Sequence, residues 1–208
     1  MIDSAFMITS FVTLFVIIDP VGLLPVFVAL TQGRSDQQRR SIAVRATLTA
    51  TLILALFALF GESVLNFVGI SMPAFRVAGG VLLFLTALDM LFDRRTKRRH
   101  SQGEDVDPSE DDPSIFPIAI PLVAGPGSIA TVILLVGQHP GFNGFAAVMG
   151  IAVLVLILML LIFMISGLIE RMLGPVGINV VTRLLGMLLA ALSVQFVLDG
   201  LRDFGFAG

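Results

Sequence analysis

The chain has 208 residues, a formal net charge of −2, and a composition that is 56% hydrophobic and only 13% charged. Soluble domains carry about 25% charge, so this much apolar surface exceeds what a single core hides, and lipid must cover the rest. With no cysteine in the chain, disulfides, thiolate metal sites and cysteine nucleophiles are excluded.

The first apolar run covers residues 5–30. Met1-Ile2-Asp3-Ser4 lacks a basic n-region, and the run is too long for a signal-peptide core. It therefore reads as a first spanning helix. Inside it stands Asp19-Pro20-Val21-Gly22-Leu23-Leu24-Pro25. Pro20 and Pro25 remove backbone donors and free the carbonyls of Val16 and Val21, while Gly22 permits angles that other residues avoid. Asp19 lies roughly 21 Å into the span by helical rise. An ionised carboxylate at that depth costs about 2.5–3.5 kcal/mol on insertion scales. Asp19 is thus expected to face a cavity, either protonated or paired with a cation. Capping the half-helix that begins near Leu23 is the alternative use of its carboxylate.

Further runs cover 42–65 and 74–92. Thr47, Thr49 and Thr51 in the second are expected to bond between helices. Arg76 starts the third, followed by the small residues Gly79 and Gly80, which favour close helix packing. Residues 93–114 form the one long polar segment, basic from Arg94 to His100 and acidic from Glu104 to Asp112. It reads as a solvated linker between two units, 1–92 and 115–208. Nucleic acid is not the expected partner of its basic stretch, which serves as a topology signal.

The fourth run, 115–137, carries Pro117, Pro121 and then Gly125-Pro126-Gly127-Ser128. Its break is also near mid-span. Ser128 and Thr131 follow on one helical face, where they either bond a ligand or cap the half-helix. Runs at 145–169 and 180–201 complete six spans, each above the roughly 17 residues a crossing needs. Arg34, Arg39, Arg40, Arg45, the 94–99 cluster and Arg171 all fall in odd-numbered loops. The positive-inside rule then makes those loops cytoplasmic and puts both termini outside.

The two halves align at an offset of about 106–108 residues. Pro20 matches Pro126, Glu62 matches Glu170, Arg76 matches Arg183 and Gly79 matches Gly186. Three spans per repeat is an odd number, so the second repeat enters the membrane inverted. The fold expected is an all-α membrane protein: six transmembrane helices in two inverted three-helix repeats, with helices 1 and 4 discontinuous. Paired breaks near the midplane of inverted repeats point to a binding site. The half-helices starting near Leu23 and Ser128 offer N–H groups and positive dipole ends, which suit a small anionic group. Upstream freed carbonyls suit a cation. Arg76 and Arg183 are expected to bond loop carbonyls or to pair with Glu62 and Glu170. His100 and His139 have no partner spacing for a metal, so neither metal nor cofactor is expected.

The motifs Asp19–Pro25, Ile70-Ser71-Met72-Pro73-Ala74-Phe75-Arg76-Val77-Ala78-Gly79-Gly80 and Ile120-Pro121-Leu122-Val123-Ala124-Gly125-Pro126-Gly127-Ser128 resemble the MarC family. That family includes the SnatA-type carriers. The resemblance covers essentially the whole chain. It implies a six-helix inner-membrane carrier of small neutral amino acids of the glycine and alanine class, with Asp19 as proton-coupling candidate. The site would comprise Asp19, Pro20, Gly22, Leu23, Gly125, Pro126, Gly127, Ser128 and Thr131, with Pro25, Pro121, Arg76, Arg183, Glu62, Glu170, Gly79 and Gly186 in structural or gating roles. No nucleotide loop of the GxxxxGK[ST] type is present, so a gradient must supply the energy. A membrane enzyme would need a nucleophile and base at one depth, and no intramembrane His or Cys exists to serve. A regulatory or assembly protein and a channel are the other classes. Glycine-bearing helix faces also leave room for a homo-oligomer within the lipid.

Overall fold

The computed structural model describes residues 3–92, 94 and 112–206, without the side chain of Glu170. Residues 93 and 95–111, with His100 and most of the expected linker, lie outside the described residues. All regular structure among the described residues is helical. In chain order the segments are α1 (Ser4–Ile18), α2 (Leu24–Leu30), α3 (Asp36–Val68), α4 (Met72–Leu91), α5 (Ser114–Val123), α6 (Pro126–Gln138), α7 (Phe142–Met164) and α8 (Ser166–Asp203).

Among the described residues four stretches are long and apolar enough to cross a membrane: α3, α4, α7 and Arg171–Asp203 of α8. The pair α5 and α6, bent by 56°, makes a fifth when taken as one broken span. α1 alone has 15 residues, about 22 Å at 1.5 Å per residue, which is short of the hydrocarbon thickness.

Local sequence explains the ends. Asp3 caps α1, its carboxylate accepting the Phe6 N–H at 2.7 Å. Ser35 and Gln38 form a reciprocal capping box at the start of α3: Ser35 N–H donates to Gln38 Oε1 at 2.9 Å, and Gln38 N–H to Ser35 Oγ at 3.3 Å. This box starts α3 at Asp36, well before the apolar run. Gly69, at φ 82°, ends it in the left-handed region, where glycine carries no Cβ penalty. Ser71 caps α4 next to Pro73 in the first turn. α8 carries a kink at Gly174, with φ 59° and ψ 177°, just before Pro175.

Burial shows how the bundle meets its surroundings. On α3 the buried residues are Ile42, Ala43, Ala46, Thr47, Ala50, Leu54, Ala58, Gly61 and Leu65, in steps of three or four along the helix with Ile42 and Thr47 flanking the line. That is one helical stripe of mostly small side chains. The opposite face exposes Leu48, Leu52, Leu56, Leu59 and Phe60. A helix apolar on both faces needs lipid on the outer one.

α4 packs on α8 over most of its length. The contact order fixes the direction: Gly200 lies against Pro73 and Val77, Gly80 against Ser193 and Val197, and Gly186 against Ala87 and Met90. The two helices are therefore antiparallel. Each of these glycines faces a backbone carbonyl of the partner, where an added Cβ would stand 2.9 Å from Ser193 O, 3.3 Å from Ala87 O and 3.0 Å from Pro73 O. Small residues at such crossings let two backbones approach.

Asp112 ties the end of the linker back to α3, with Arg45 Nη1 at 2.5 Å and the Ser114 N–H at 3.0 Å. Partial burial pushes its carboxyl up, but hydrogen bonding by Ser114 and the Arg45 guanidinium outweighs this and holds it below the usual carboxylate range. A carboxyl depressed on folding contributes stability above its unfolded value, about 3.9, and loses it as pH falls through the lower folded value. Protection of the Ser114 amide against hydrogen exchange, corrected for intrinsic rate, should be flat from neutral pH down to about 4 and fall below that. In Asp112→Asn the protection should be lower and flat across the same range.

Candidate functional site

The chain leaves α1 at Asp19, which is fully buried and adopts φ 56° and ψ 64°. Left-handed backbone costs most L-residues about 1–2 kcal/mol; aspartate is among the few that adopt it, because its short side chain bonds locally. That local bond is present: the Gly22 N–H donates to Asp19 Oδ1 at 3.0 Å. The Asp19 N–H donates to Phe15 O at 2.9 Å, and the Leu23 N–H to Asp19 O at 3.1 Å. The carboxylate fills the space a side chain at residue 22 would need, since a Cβ there would stand 2.1 Å from Asp19 Oδ2. Glycine at 22 is thus required by close approach. α2 restarts at Leu24 with Pro25 in its first turn. The Val21 carbonyl, expected to be freed by Pro25, instead accepts the Leu24 N–H at 3.2 Å.

α5 is a widened coil in which residues five apart bond, as from the Ala124 N–H to Ala119 O at 2.8 Å. Phe116 and Ile120 are extended within it, because each precedes a proline, which disfavours the helical region. The chain then passes through extended Gly125, at φ −90° and ψ 175°, into α6. A Cβ on Gly125 would stand 2.4 Å from Pro121 O. Pro126 occupies the first turn, where its missing N–H costs nothing.

The Ser128 Oγ lies 2.6 Å from Val123 O and 3.1 Å from Gly125 O. Thr131 Oγ1 donates to Gly127 O at 2.8 Å. Both hydroxyls therefore direct their protons at carbonyls around the interruption, and neither caps α6 by accepting an N–H bond. What remains on each is oxygen lone pairs, which accept. Ser128 and Thr131 are buried.

The start of α6 touches the end of α1. Gly127 lies against Ile17, two residues before Asp19, where a Cβ would stand 2.8 Å from Ile17 Cδ1 and 4.0 Å from Leu83 Cδ2. Pro20, Gly22 and Leu23 are buried around the first interruption, and Gly125 at the second, whereas Pro126 is exposed. Neither Ile17 nor Leu83 stands out in sequence, since contact across the bundle is invisible in a run of aliphatic residues.

The outlying residues are arranged differently. Arg76 forms an ion pair with Asp203 at the end of α8. Glu62, its expected partner, is exposed on α3, and Arg183 is exposed on α8. The side chain of Glu170 lies outside the described residues. The Asp203 partnership is one that the repeat alignment could not reveal, because it links the two halves. Gly79 lies against Leu134 of α6, where an added Cβ would stand 2.6 Å from Leu134 Cδ1.

Known sequences bear on this arrangement. Residues 4–204 match the profile described as MarC family integral membrane protein. A UPF0056 membrane protein of Archaeoglobus fulgidus is 40% identical over 203 residues, covering 96% of this chain and 93% of that one. The UPF0056 membrane protein YvbG of Bacillus subtilis is 38% identical, covering 95% of each chain. The UPF0056 inner membrane protein YhgN of Escherichia coli is 36% identical, covering 94% of this chain and 95% of its own. No solved structure matches the chain. A full-length match of this kind, on a helical bundle with lipid-facing apolar surfaces, makes the chain a member of the MarC family of integral membrane proteins.

Proposed function

We propose that the protein is a secondary carrier of small neutral amino acids of the glycine and alanine class. It would work by alternating access around the two interruptions. The observation that carries this reading is a buried carboxylate, Asp19, at the first interruption, just beyond the last turn of α1, where Ile17 packs against Gly127 of the second interruption. A zwitterion needs a negative pole, a positive pole and little else. Asp19 with the acceptor lone pairs of Ser128 and Thr131 supplies the pole for an ammonium. The N–H groups of the first turn of α6, at Gly127 and Ser128, supply the pole for a carboxylate. Asp19 is then also the group through which proton coupling would run.

Chain order supports an internal repeat. Each half reads as an interrupted pair followed by two long segments: α1, α2, α3, α4 and then α5, α6, α7, α8. The antiparallel run of α4 against α8 is what an inverted relation of the halves requires. In this reading the six spans stand, with α1 and α2 together forming the first. The basic odd-numbered loops put the protein in the inner membrane with both termini outside, in keeping with the inner-membrane relative from Escherichia coli. Asp19, Ser128 and Thr131 are all sealed from solvent, which fits a state closed on both sides.

The test is counter-flow. Proteoliposomes preloaded with unlabelled glycine or alanine should accumulate the labelled amino acid transiently, and the rate should saturate. Uptake that rises linearly without exchange would indicate a channel. Absence of exchange across a full panel of small neutral amino acids would sink the carrier reading.

A further inference from the structure

A separate concavity of about 310 Å³ opens between the start of α3 and the junction of α7 with α8. Its polar wall is Asp36, Arg39, Arg40 and Ser166, and its apolar wall includes Ile165 and Leu168. The carrier reading makes no use of it.

Arg39 is held in position from two sides. Its Nη2 donates to Ser166 Oγ at 2.9 Å. Its guanidinium stands 5.9 Å from the centre of the Phe27 ring, which stacks on Phe163 at 4.2 Å. A guanidinium has five N–H donors in a fixed fork, so one bond to Ser166 leaves others for a ligand. Arg40 is exposed and makes no ion pair among the described residues. Asp36 offsets one of the two positive charges, so the wall carries a net charge of one. Ser166 is buried and opens α8, whose positive end adds to the potential. At Gly167 nothing stands within 4 Å of where a Cβ would be, so the space there is open.

Two guanidinium groups in one concavity match the oxygens of a phosphoryl group, which they bind through paired N–H bonds. The other wall decides the source. Ile165 and Leu168 are 50% and 60% exposed, and Arg34 and Arg171 stand close by in the chain. A soluble phosphate has no use for that apolar rim, whereas a lipid lays its glycerol and first methylenes along it. The volume admits a headgroup and not a whole lipid. We propose that this pocket holds the phosphoryl group of an anionic phospholipid, a lipid site distinct from the path of the cargo.

The full chain, delipidated in mild detergent, should be supplied with phosphatidylglycerol or phosphatidylcholine and weighed intact by native mass spectrometry. Phosphatidylglycerol should remain bound at collision energies that strip phosphatidylcholine. Arg40→Gln should lower phosphatidylglycerol occupancy about tenfold, the order expected for one charge-assisted bond, and Asp36→Asn should raise it. Both variants should elute as the wild type does, since both positions are exposed. Millimolar inorganic phosphate should displace the lipid, marking the phosphoryl group as the part recognised. Phosphate protection without any preference between the two lipids would overturn the lipid source. Equal retention of both lipids, indifferent to Arg40→Gln and Asp36→Asn, would overturn the site itself.

Discussion

Gly125→Ala should destabilise the protein by on the order of 3 kcal/mol, the upper part of the range for overpacking a filled site. The added methyl would stand 2.4 Å from the Pro121 carbonyl oxygen. That oxygen is main chain, so no rotamer change moves it away. Its position is set by the proline ring and by the widened coil of α5. The residue's own angles, φ −90° and ψ 175°, suit alanine well; the clash alone is at issue. For a chain of this length about 1 kcal/mol shifts a melting midpoint by roughly 2–4 °C, so the midpoint in detergent should drop by on the order of 10 °C. Gly150→Ala is the matched control. Nothing lies within 4 Å of its position, and alanine in a helix interior is favoured over glycine by about 0.5–1 kcal/mol. Equal midpoints for Gly125→Ala and wild type would mean that the α5–α6 junction relaxes freely.

Asp19→Asn should leave the fold nearly intact and cut amino acid exchange by about tenfold to a hundredfold. Asparagine tolerates left-handed backbone, and its amide oxygen still accepts the Gly22 N–H that Asp19 now accepts at 3.0 Å. The structural role is therefore conserved, within about 1 kcal/mol. What disappears is the ionisable carboxyl to which the carrier reading assigns the ammonium. A hydrogen bond to a charged group contributes about 1.5–3 kcal/mol, which is the source of the expected range in rate. Monodisperse protein with a wild-type midpoint and failed exchange would separate the two roles. Exchange at the wild-type rate, with unaltered pH dependence, would remove Asp19 from transport and leave it as a cap.

The sequence spoke clearly where the physics is one-dimensional. Membrane insertion and all-helical structure follow from apolar content alone, and the motifs around Asp19, Arg76 and Gly125 pointed to the family that the full-length match shows. Helix ends were less legible. The apolar run at 42–65 sits inside a helix that begins at Asp36, because the Ser35 capping box recruits polar residues that hydropathy ignores. The run at 180–201 likewise belongs to α8, which begins at Ser166 and bends at Gly174; the Gly174-Pro175 pair was the available signal. Contacts across the bundle were not legible. Ser128 could have offered its proton to a ligand, accepted an N–H at a cap, or closed a gap in its own chain. Only the position of Val123 O decides for the last. The partnership of Arg76 with Asp203, 127 residues apart, had the same invisibility.

The seam between α4 and α8 is keyed as well as packed. At three levels a glycine of one helix is seated on a carbonyl of the other: Gly200 on Pro73, Gly80 on Ser193 and Gly186 on Ala87. Sliding by one residue is a shift of about 1.5 Å along the axis, and it would bring a side chain onto each seat at once. The pair behaves like a shaft with three keys: free to tilt as one piece, barred from translating along itself. Since α3 and α7 lead straight into this shaft through the short turns at 69–71 and 165, it is the stiff member against which the rest of the molecule would swing.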